Sequence, residues 1–478
     1  MSANAPQAER VLSTLNVDGT RRWLNPRPSP GRWLNRRRAV GYGLIALFVT
    51  LPHLRIDGRP PLLIDILARE FTFFGTTLYP TDTLLLALLL ITIALSVFFF
   101  TALFGRIWCG WGCPQTVYLE LVFRPIERFF EGAPGARKKR FGAAGGFLKF
   151  FVFVLLAFGL AHTFLSYFVG TDNLRQWIFG SPLDHPIAFV VMIAVTGAML
   201  FDFGFFREQT CIVACPYGRF QSVMLDRDSL VVGYDRKRGE PRGRKRRTSK
   251  PAGDVSLNVV QDATQAAFAA ELGDCIDCTM CVQTCPTGID IRDGLQMECV
   301  NCTQCIDACD SIMDKIGRPR GLIRYASQRS LEGEGRHWFR PRLIAYPAII
   351  TVLVTTMTVL LVMRESALVN VIRGPGSPFT VLDSGMVANP IKIKIHDRSE
   401  AGATYELSVE GVDGGRIDGT NSVELQAGEM LTESVALVVP PEAFTTGRLP
   451  VQVRIRSEDF DKSVEYVMRG PVAPSEGS

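Results

Sequence analysis

Two consecutive runs of cysteine constrain this chain more than anything else in it: Cys275-x2-Cys278-x2-Cys281-x3-Cys285-Pro286, then Cys299-x2-Cys302-x2-Cys305-x3-Cys309. Thiolates at this spacing wrap three corners of an iron-sulfur cube from one loop, and the fourth cysteine of each run reaches the neighbouring cube. Crossed ligation is therefore expected. One 4Fe-4S cluster takes Cys275, Cys278, Cys281 and Cys309, and the other takes Cys299, Cys302, Cys305 and Cys285. Asp310 stands where the first run has Pro286, a change that loosens the turn without removing a ligand. Zinc is the competing occupant of paired CxxC units, but two successive four-cysteine runs fit cubes better. Such clusters exchange single electrons and bind few substrates themselves, so this module is a wire that needs something at each end.

The other four cysteines are candidates for one end. They form Cys109-Gly-Trp-Gly-Cys113-Pro114 and Cys211-Ile-Val-Ala-Cys215-Pro216, each just after an apolar run. CxxxC spacing puts two sulfurs on one face of a helical turn, and the matching placement predicts one shared site. Four soft thiolates suit a monovalent copper ion, an additional cluster or a reversible dithiol. Buried structural cysteines are the plainer alternative. All 12 cysteines lie between Cys109 and Cys309, in tight groups, which is a metal or redox pattern of a reducing compartment and not a disulfide framework.

A membrane is implied by the 47% apolar content and mean hydropathy of +0.16 over 478 residues. Five stretches approach the length needed to cross a bilayer: Ala39 to Leu54, Thr83 to Phe104, Phe147 to Val169, Ile187 to Phe206, and Leu343 to Met363. Arg36, Arg37 and Arg38 before the first span, and Arg137, Lys138, Lys139 and Arg140 between the second and third, belong in the cytoplasm by the positive-inside rule. The loops from Arg55 to Asp82 and Gly170 to His185 belong outside. No signal peptide is read in the polar, Arg-rich first 38 residues.

The expected organisation follows in chain order. A cytoplasmic N-terminal segment (1–38) precedes four transmembrane helices with the first CxxxCP motif (39–206). A cytoplasmic linker carries the second motif (207–269), followed by a two-cluster ferredoxin domain (270–315) and a cytoplasmic connector (316–342). A fifth transmembrane helix (343–363) and a periplasmic domain (364–478) complete the chain. That last segment holds 11 Lys and Arg against 17 Asp and Glu in a chain of net charge +5, so the two ends face different surroundings. It alternates as strands do at Ile391 to Ile395, Tyr405 to Val409, Ser434 to Val439 and Val451 to Ile455. Turn signals at Asp413-Gly414-Gly415 and Asp418-Gly419 separate them. An immunoglobulin-like β-sandwich without a disulfide fits, and its expected role is passive docking.

The basic run from Arg236 to Lys250 reads as a solvated linker beside anionic lipid. Nucleic acid is not expected as a partner, because no aromatic or Gly-rich recognition pattern accompanies it. His162 in the third span and Asp202 near the end of the fourth are candidates as intramembrane ionisable groups. The competing structural roles are a bond from His162 to a neighbouring carbonyl and a pairing of Asp202 with Arg207. No Ser-His-Asp set, phosphate loop, dinucleotide fingerprint or CxxCH haem site is present, which leaves redox chemistry.

Three stretches resemble a known family. They are Trp108 to Pro114, the run from Asp202 to Gln221 containing Cys-Ile-Val-Ala-Cys-Pro-Tyr-Gly-Arg-Phe-Gln, and Gly317 to Tyr325 after the ferredoxin cysteines. Together they look like the cytochrome c oxidase accessory proteins CcoG, also called FixG or RdxA. That resemblance covers most of the chain. It implies a bacterial inner-membrane, multi-pass protein assisting assembly of the cbb3-type cytochrome oxidase, with oxidase subunits or copper-delivery proteins as partners. It also implies reduction of Cu(II) to Cu(I), with Cys109, Cys113, Cys211 and Cys215 as the residues where copper is bound or reduced. The quinol dehydrogenases of periplasmic nitrate and nitrous oxide systems also resemble the chain in their spans, CxxxCP pairs and two-cluster ferredoxin. That resemblance implies a quinol-linked carrier without copper chemistry. A non-catalytic assembly scaffold is the third alternative, and the electron donor is open among a soluble ferredoxin, a flavoprotein and a quinol.

Overall fold

The computed structural model describes residues 13–16, 18–56, 58–66, 68–132, 134, 141–142, 144–243, 272–335, 340–399 and 401–472. Arg137 to Arg140 and the part of the basic run from 244 to 250 lie outside the described residues, as does the N-terminal segment before 13. The chain divides into two compact units, Met1–Pro80 with Leu86–Val354, and Thr81–Leu85 with Thr355–Ser478.

Four helices are long and apolar enough to cross a membrane among the described residues. We label the long helices α1 (Arg32–Thr50), α2 (Thr83–Phe104), α3 (Ala144–Val169), α4 (Pro186–Phe201) and α5 (Pro341–Val362). The four are α2, α3, α4 with the π-helical turn Asp202–Phe206 that extends it, and α5. At 1.5 Å per residue the 22 residues of α2 span about 33 Å, enough for a hydrocarbon core of about 30 Å. Large apolar side chains on these helices, such as Leu90, Phe100, Val190 and Val352, are exposed by the protein itself and need lipid to cover them.

The first expected span differs from the rest. It forms α1, but its first two turns carry Arg32, Arg36, Arg37 and Arg38, and the helix gives way at Leu51–His53 to a 3₁₀ turn containing Pro52. Too few apolar residues remain for it to join the other four by length and composition. Its two ends nevertheless meet different parts of the unit. The N-terminal turn of α1 is held by the ferredoxin helix Gln304–Lys315, on the side where Glu131 meets Lys149 near the start of α3, at 2.7 Å. At the opposite end of α3, Tyr167 Oη donates to the Phe48 carbonyl at 2.8 Å, and Arg55 pairs with Asp172 at 2.8 Å.

Two stretches expected as connections are structured. The loop after α1 forms an antiparallel three-stranded sheet, Leu62–Asp65, Glu70–Phe73 and Thr76–Leu78. In the expected linker, Val231–Tyr234 pairs antiparallel with Ile323–Ala326 of the expected connector. All of Val231–Tyr234 is buried, and Val232, Tyr234, Ile289, Ile291, Ile306, Leu322 and Ile323 form the ferredoxin core with the cysteines. The domain therefore extends beyond 270–315 on both sides, because a loop wrapped on thiols has too little apolar surface of its own.

The C-terminal unit is the expected sandwich. One sheet orders Arg416–Asp418, Met430–Val439, Val387–Asp397 and Ala367–Arg373, with Thr380–Val381 paired to Val387–Asp397. The other orders Ser422–Leu425, Ala403–Glu410, Thr446–Arg456 and Asp461–Val472. Inward residues at period two, including Ile391, Ile393, Ile395, Leu437, Val453 and Ile455, are fully or almost fully buried and make one core between the sheets.

Candidate cluster sites and cysteine hairpins

Both ferredoxin runs fold the same way around their second cysteine. Asp277 and Thr279 flank Cys278, Asn301 and Thr303 flank Cys302, and all four have φ between 53° and 65°. Asp and Asn accept this left-handed region readily, whereas a β-branched Thr adopts it at a cost. Alternating left- and right-handed residues curl a loop into the concavities that iron-sulfur sites use.

After the third cysteine the runs diverge. In the first, the short helix Met280–Gln283 stops ahead of Pro286. In the second, Gln304–Lys315 continues for 12 residues, with Asp310 in its interior. Proline there would remove a helical hydrogen bond and clash with the preceding turn. Asp310 instead accepts the Gly321 N–H at 3.0 Å.

Cys309 is brought within electrostatic reach of Cys281, Cys275 and Cys278. Cys285 is within reach of Cys299, Cys302 and Cys305. These are the two sets that crossed ligation calls for. Burial pushes the thiol of Cys299 up to about 11, and those of Cys281, Cys302 and Cys309 up to about 12. Thiols so placed ionise only against a cationic partner, which iron supplies. Cys281, Cys285, Cys299, Cys302 and Cys305 line one small cavity. No group of three or more His, Cys, Asp or Glu among the described residues is close enough to hold a single metal ion.

The CxxxCP motifs also share a fold. The Cys113 N–H bonds to the Trp108 carbonyl at 2.8 Å, and Pro114 opens the helix Pro114–Tyr118. The Cys215 N–H bonds to the Thr210 carbonyl at 2.7 Å, and Pro216 opens Pro216–Met224. In each, proline sits where a helix needs no N–H donor.

The two hairpins meet. Cys211 lies within electrostatic reach of Cys113, Cys109 and Cys215, and Cys109 Sγ donates to Gln221 Oε1 at 3.5 Å. Burial pushes the Cys109 thiol up to about 11 and raises Cys113 and Cys211 as well. Among the described residues no three of these thiols form a ready-made single-ion site.

Asp202 joins this group. It accepts from Gln115 Nε2 at 3.1 Å and from Thr210 Oγ1. It does not pair with the side chain of Arg207, which takes Glu127 at 2.6 Å. His162 is elsewhere: it is half-buried on α3, with Nδ1 2.9 Å from the Phe158 carbonyl one turn back.

The first hairpin is seated on the loop of the second cluster. A Cβ on Gly110 would stand 2.5 Å from the Val300 carbonyl oxygen and 2.9 Å from the Asn301 carbonyl carbon, so glycine permits this approach. Arg37, fully buried, donates from Nε to the Gly110 carbonyl at 2.6 Å, and its charge also acts on Cys302. Arg106 donates to the carbonyls of Met297 and Cys299. Trp111 Nε1 donates to Tyr325 Oη at 3.1 Å, which in turn donates to the Asn301 carbonyl at 3.0 Å. Sequence reasoning missed Arg37, Arg106, Trp111 and Tyr325 as parts of the site. The Trp108 to Pro114 and Gly317 to Tyr325 stretches that carry the family resemblance contain two of them.

Comparison with known proteins gives three family matches. Residues 206–328 match a 4Fe-4S dicluster domain, residues 86–139 a 4Fe-4S binding domain, and residues 357–469 the IG-like fold at the C-terminal of FixG. Protein RdxB of Cereibacter sphaeroides is 34% identical over 386 residues, covering 76% of this chain and 77% of that protein. Protein RdxA of the same organism is 33% identical over 443 residues, covering 87% and 89%. Nitrogen fixation protein FixG of Rhizobium meliloti is 32% identical over 458 residues, covering 86% and 83%.

Proposed function

Because the chain belongs to the FixG/RdxA family and is an iron-sulfur membrane protein of electron-transfer type, we propose that it assists assembly of a cbb3-type cytochrome oxidase by reducing Cu(II) to Cu(I) at Cys109, Cys113, Cys211 and Cys215. The observation that carries this is the seating of Gly110 on Val300 and Asn301. It leaves no gap between the loop of Cys299 and Cys302 and the hairpin of Cys109 and Cys113.

Clusters on Cys275, Cys278, Cys281 and Cys309, and on Cys299, Cys302, Cys305 and Cys285, supply single electrons. Arg37 and Arg106 fix the hairpin against the cluster loop and put positive charge beside its thiolates. The hairpin thiols offer soft ligands, which hold Cu(I) in preference to harder ions. One electron per ion completes the conversion. The protein lies in the bacterial inner membrane, with the ferredoxin domain in the cytoplasm and the sandwich in the periplasm, where the sandwich docks oxidase subunits or copper-delivery proteins. The two ends of α1, one held by Asp307 of the ferredoxin helix and the other by Tyr167 near the far end of α3, support a fifth crossing, as that sidedness requires.

The test is anaerobic. The detergent-purified protein is reduced, freed of excess reductant, and mixed with Cu(II) and a Cu(I)-specific chelator while cluster absorbance is followed. Clusters should reoxidise in step with Cu(I) appearance. Replacing all four hairpin cysteines with serine should slow this at least about tenfold, the scale of losing about 1.4 kcal/mol of barrier lowering, with iron content unchanged. Reoxidation at the wild-type rate in that variant would remove copper chemistry from the hairpins.

A further inference from the structure

Beneath the first hairpin, α1, α3 and α4 leave a cavity of about 630 Å³. Its walls are apolar, with Leu44, Ile45, Phe48, Leu160, Phe164 and Val195 among them. Gly112 and Pro114, on either side of Cys113, also line it. Three polar side chains reach it: Gln115, Tyr118 and Asp202.

Tyr118 is the unusual member. Its ring lies against Phe48 and Phe203, with centroids 6.5 Å and 6.3 Å away. Its hydroxyl is buried and has no hydrogen-bond partner among the described residues. A buried phenol normally finds an acceptor. Gln115 and Asp202 are engaged with each other at 3.1 Å and do not bond to it, which leaves an occupant of the cavity beside the ring as the candidate acceptor. Among the described residues no Lys, Arg or His lines the space, which leaves a phosphate headgroup without a counter-charge there. The occupant this describes is neutral, long and apolar, carries an oxygen acceptor on a flat ring that fits between aromatic side chains, and enters from lipid.

We propose that this cavity binds the ring of a membrane-soluble quinone, with a ring carbonyl accepting from Tyr118 Oη and the alkyl tail running between α1, α3 and α4. The inference rests on the electron-carrier reading for its use, since it places a lipid-soluble redox compound against the Cys113 turn. A second apolar cavity, lined by Phe168, Trp177, His185 and Ala188 at the other end of α3 and α4, serves as a control.

The test is equilibrium binding of tritiated decylubiquinone to the full-length, iron-loaded protein in detergent, without copper. Binding should approach one per chain. Tyr118→Phe should weaken it about three- to tenfold, the range for one lost hydrogen bond. Ala198→Trp, which fills this cavity, should abolish it, while Ala188→Trp in the control cavity should leave it intact. Unchanged iron per chain verifies that each variant is folded. Equal binding by Tyr118→Phe and wild type, or full displacement by dodecane, would overturn the proposal and mark the cavity as a seat for lipid tails. Because copper is absent, either result leaves the reductase reading to its own test.

Discussion

Asn301 does three things at once. It holds φ at 53°, its Oδ1 accepts the Val232 N–H at 3.3 Å, and its carbonyl accepts the Tyr325 hydroxyl. Asn301→Ala keeps a left-handed site without the residue that suits it and loses the side-chain bonds to Val232, Cys299 and Leu230, a cost of about 2–4 kcal/mol. Asn301→Gly loses those bonds alone. Iron release to a chelator should therefore be fastest for alanine, intermediate for glycine and slowest for wild type. Equal rates for alanine and glycine would show that the left-handed backbone costs nothing there.

The cysteines themselves were legible because ligand spacing is local. Arg37 was not. A triple-arginine stretch reads as a charged membrane border, and only the fold reveals that the second arginine points at a carbonyl from residue 110 and is fully buried. Asp202 was legible as a candidate but not in its partners, because Gln115 is 87 positions away in sequence.

Among the elements, α1 depends on another part of the chain for its start. Gly31, at its N-cap, offers no side chain, and the buried Asp307 carboxylate accepts from the N–H groups of Trp33 at 3.2 Å and Leu34 at 2.8 Å. A Cβ on Gly31 would stand 2.3 Å from Asp307 Cγ, so the approach requires glycine. Asp307→Ala should cost about 1–2 kcal/mol. Hydrogen exchange in the first turn of α1 should rise by roughly 5- to 30-fold, and unchanged exchange would show that another group holds the helix. The long apolar runs of α2, α3 and α5 announced themselves by length. Strands of three or four residues, as in Leu62–Asp65 and Thr76–Leu78, are too short for alternation to register. The Val231–Tyr234 pairing with Ile323–Ala326 joins segments about 90 residues apart, beyond the reach of a local pattern.

At the scale of the molecule, the two units differ in what holds them together. The sandwich has a continuous apolar core of its own, and the segment 366–472 expressed alone should fold to a monomer with one cooperative thermal transition. A broad, non-cooperative transition would show that it needs the rest of the chain. The other unit is built around thiols whose ionisation awaits iron, and its N-terminal stretch packs on the ferredoxin domain: Leu24 lies against Gly288, and the Arg27 carbonyl accepts from Thr284 Oγ1 at 2.7 Å. These contacts set an order in time as the chain is made. Leu34 and its acceptor Asp307 are 273 positions apart, an interval of roughly 15 to 55 s at bacterial rates of synthesis. Throughout it the first helix lacks the cap for its leading turn, so the beginning of this protein is finished only after its iron-binding loops have been made.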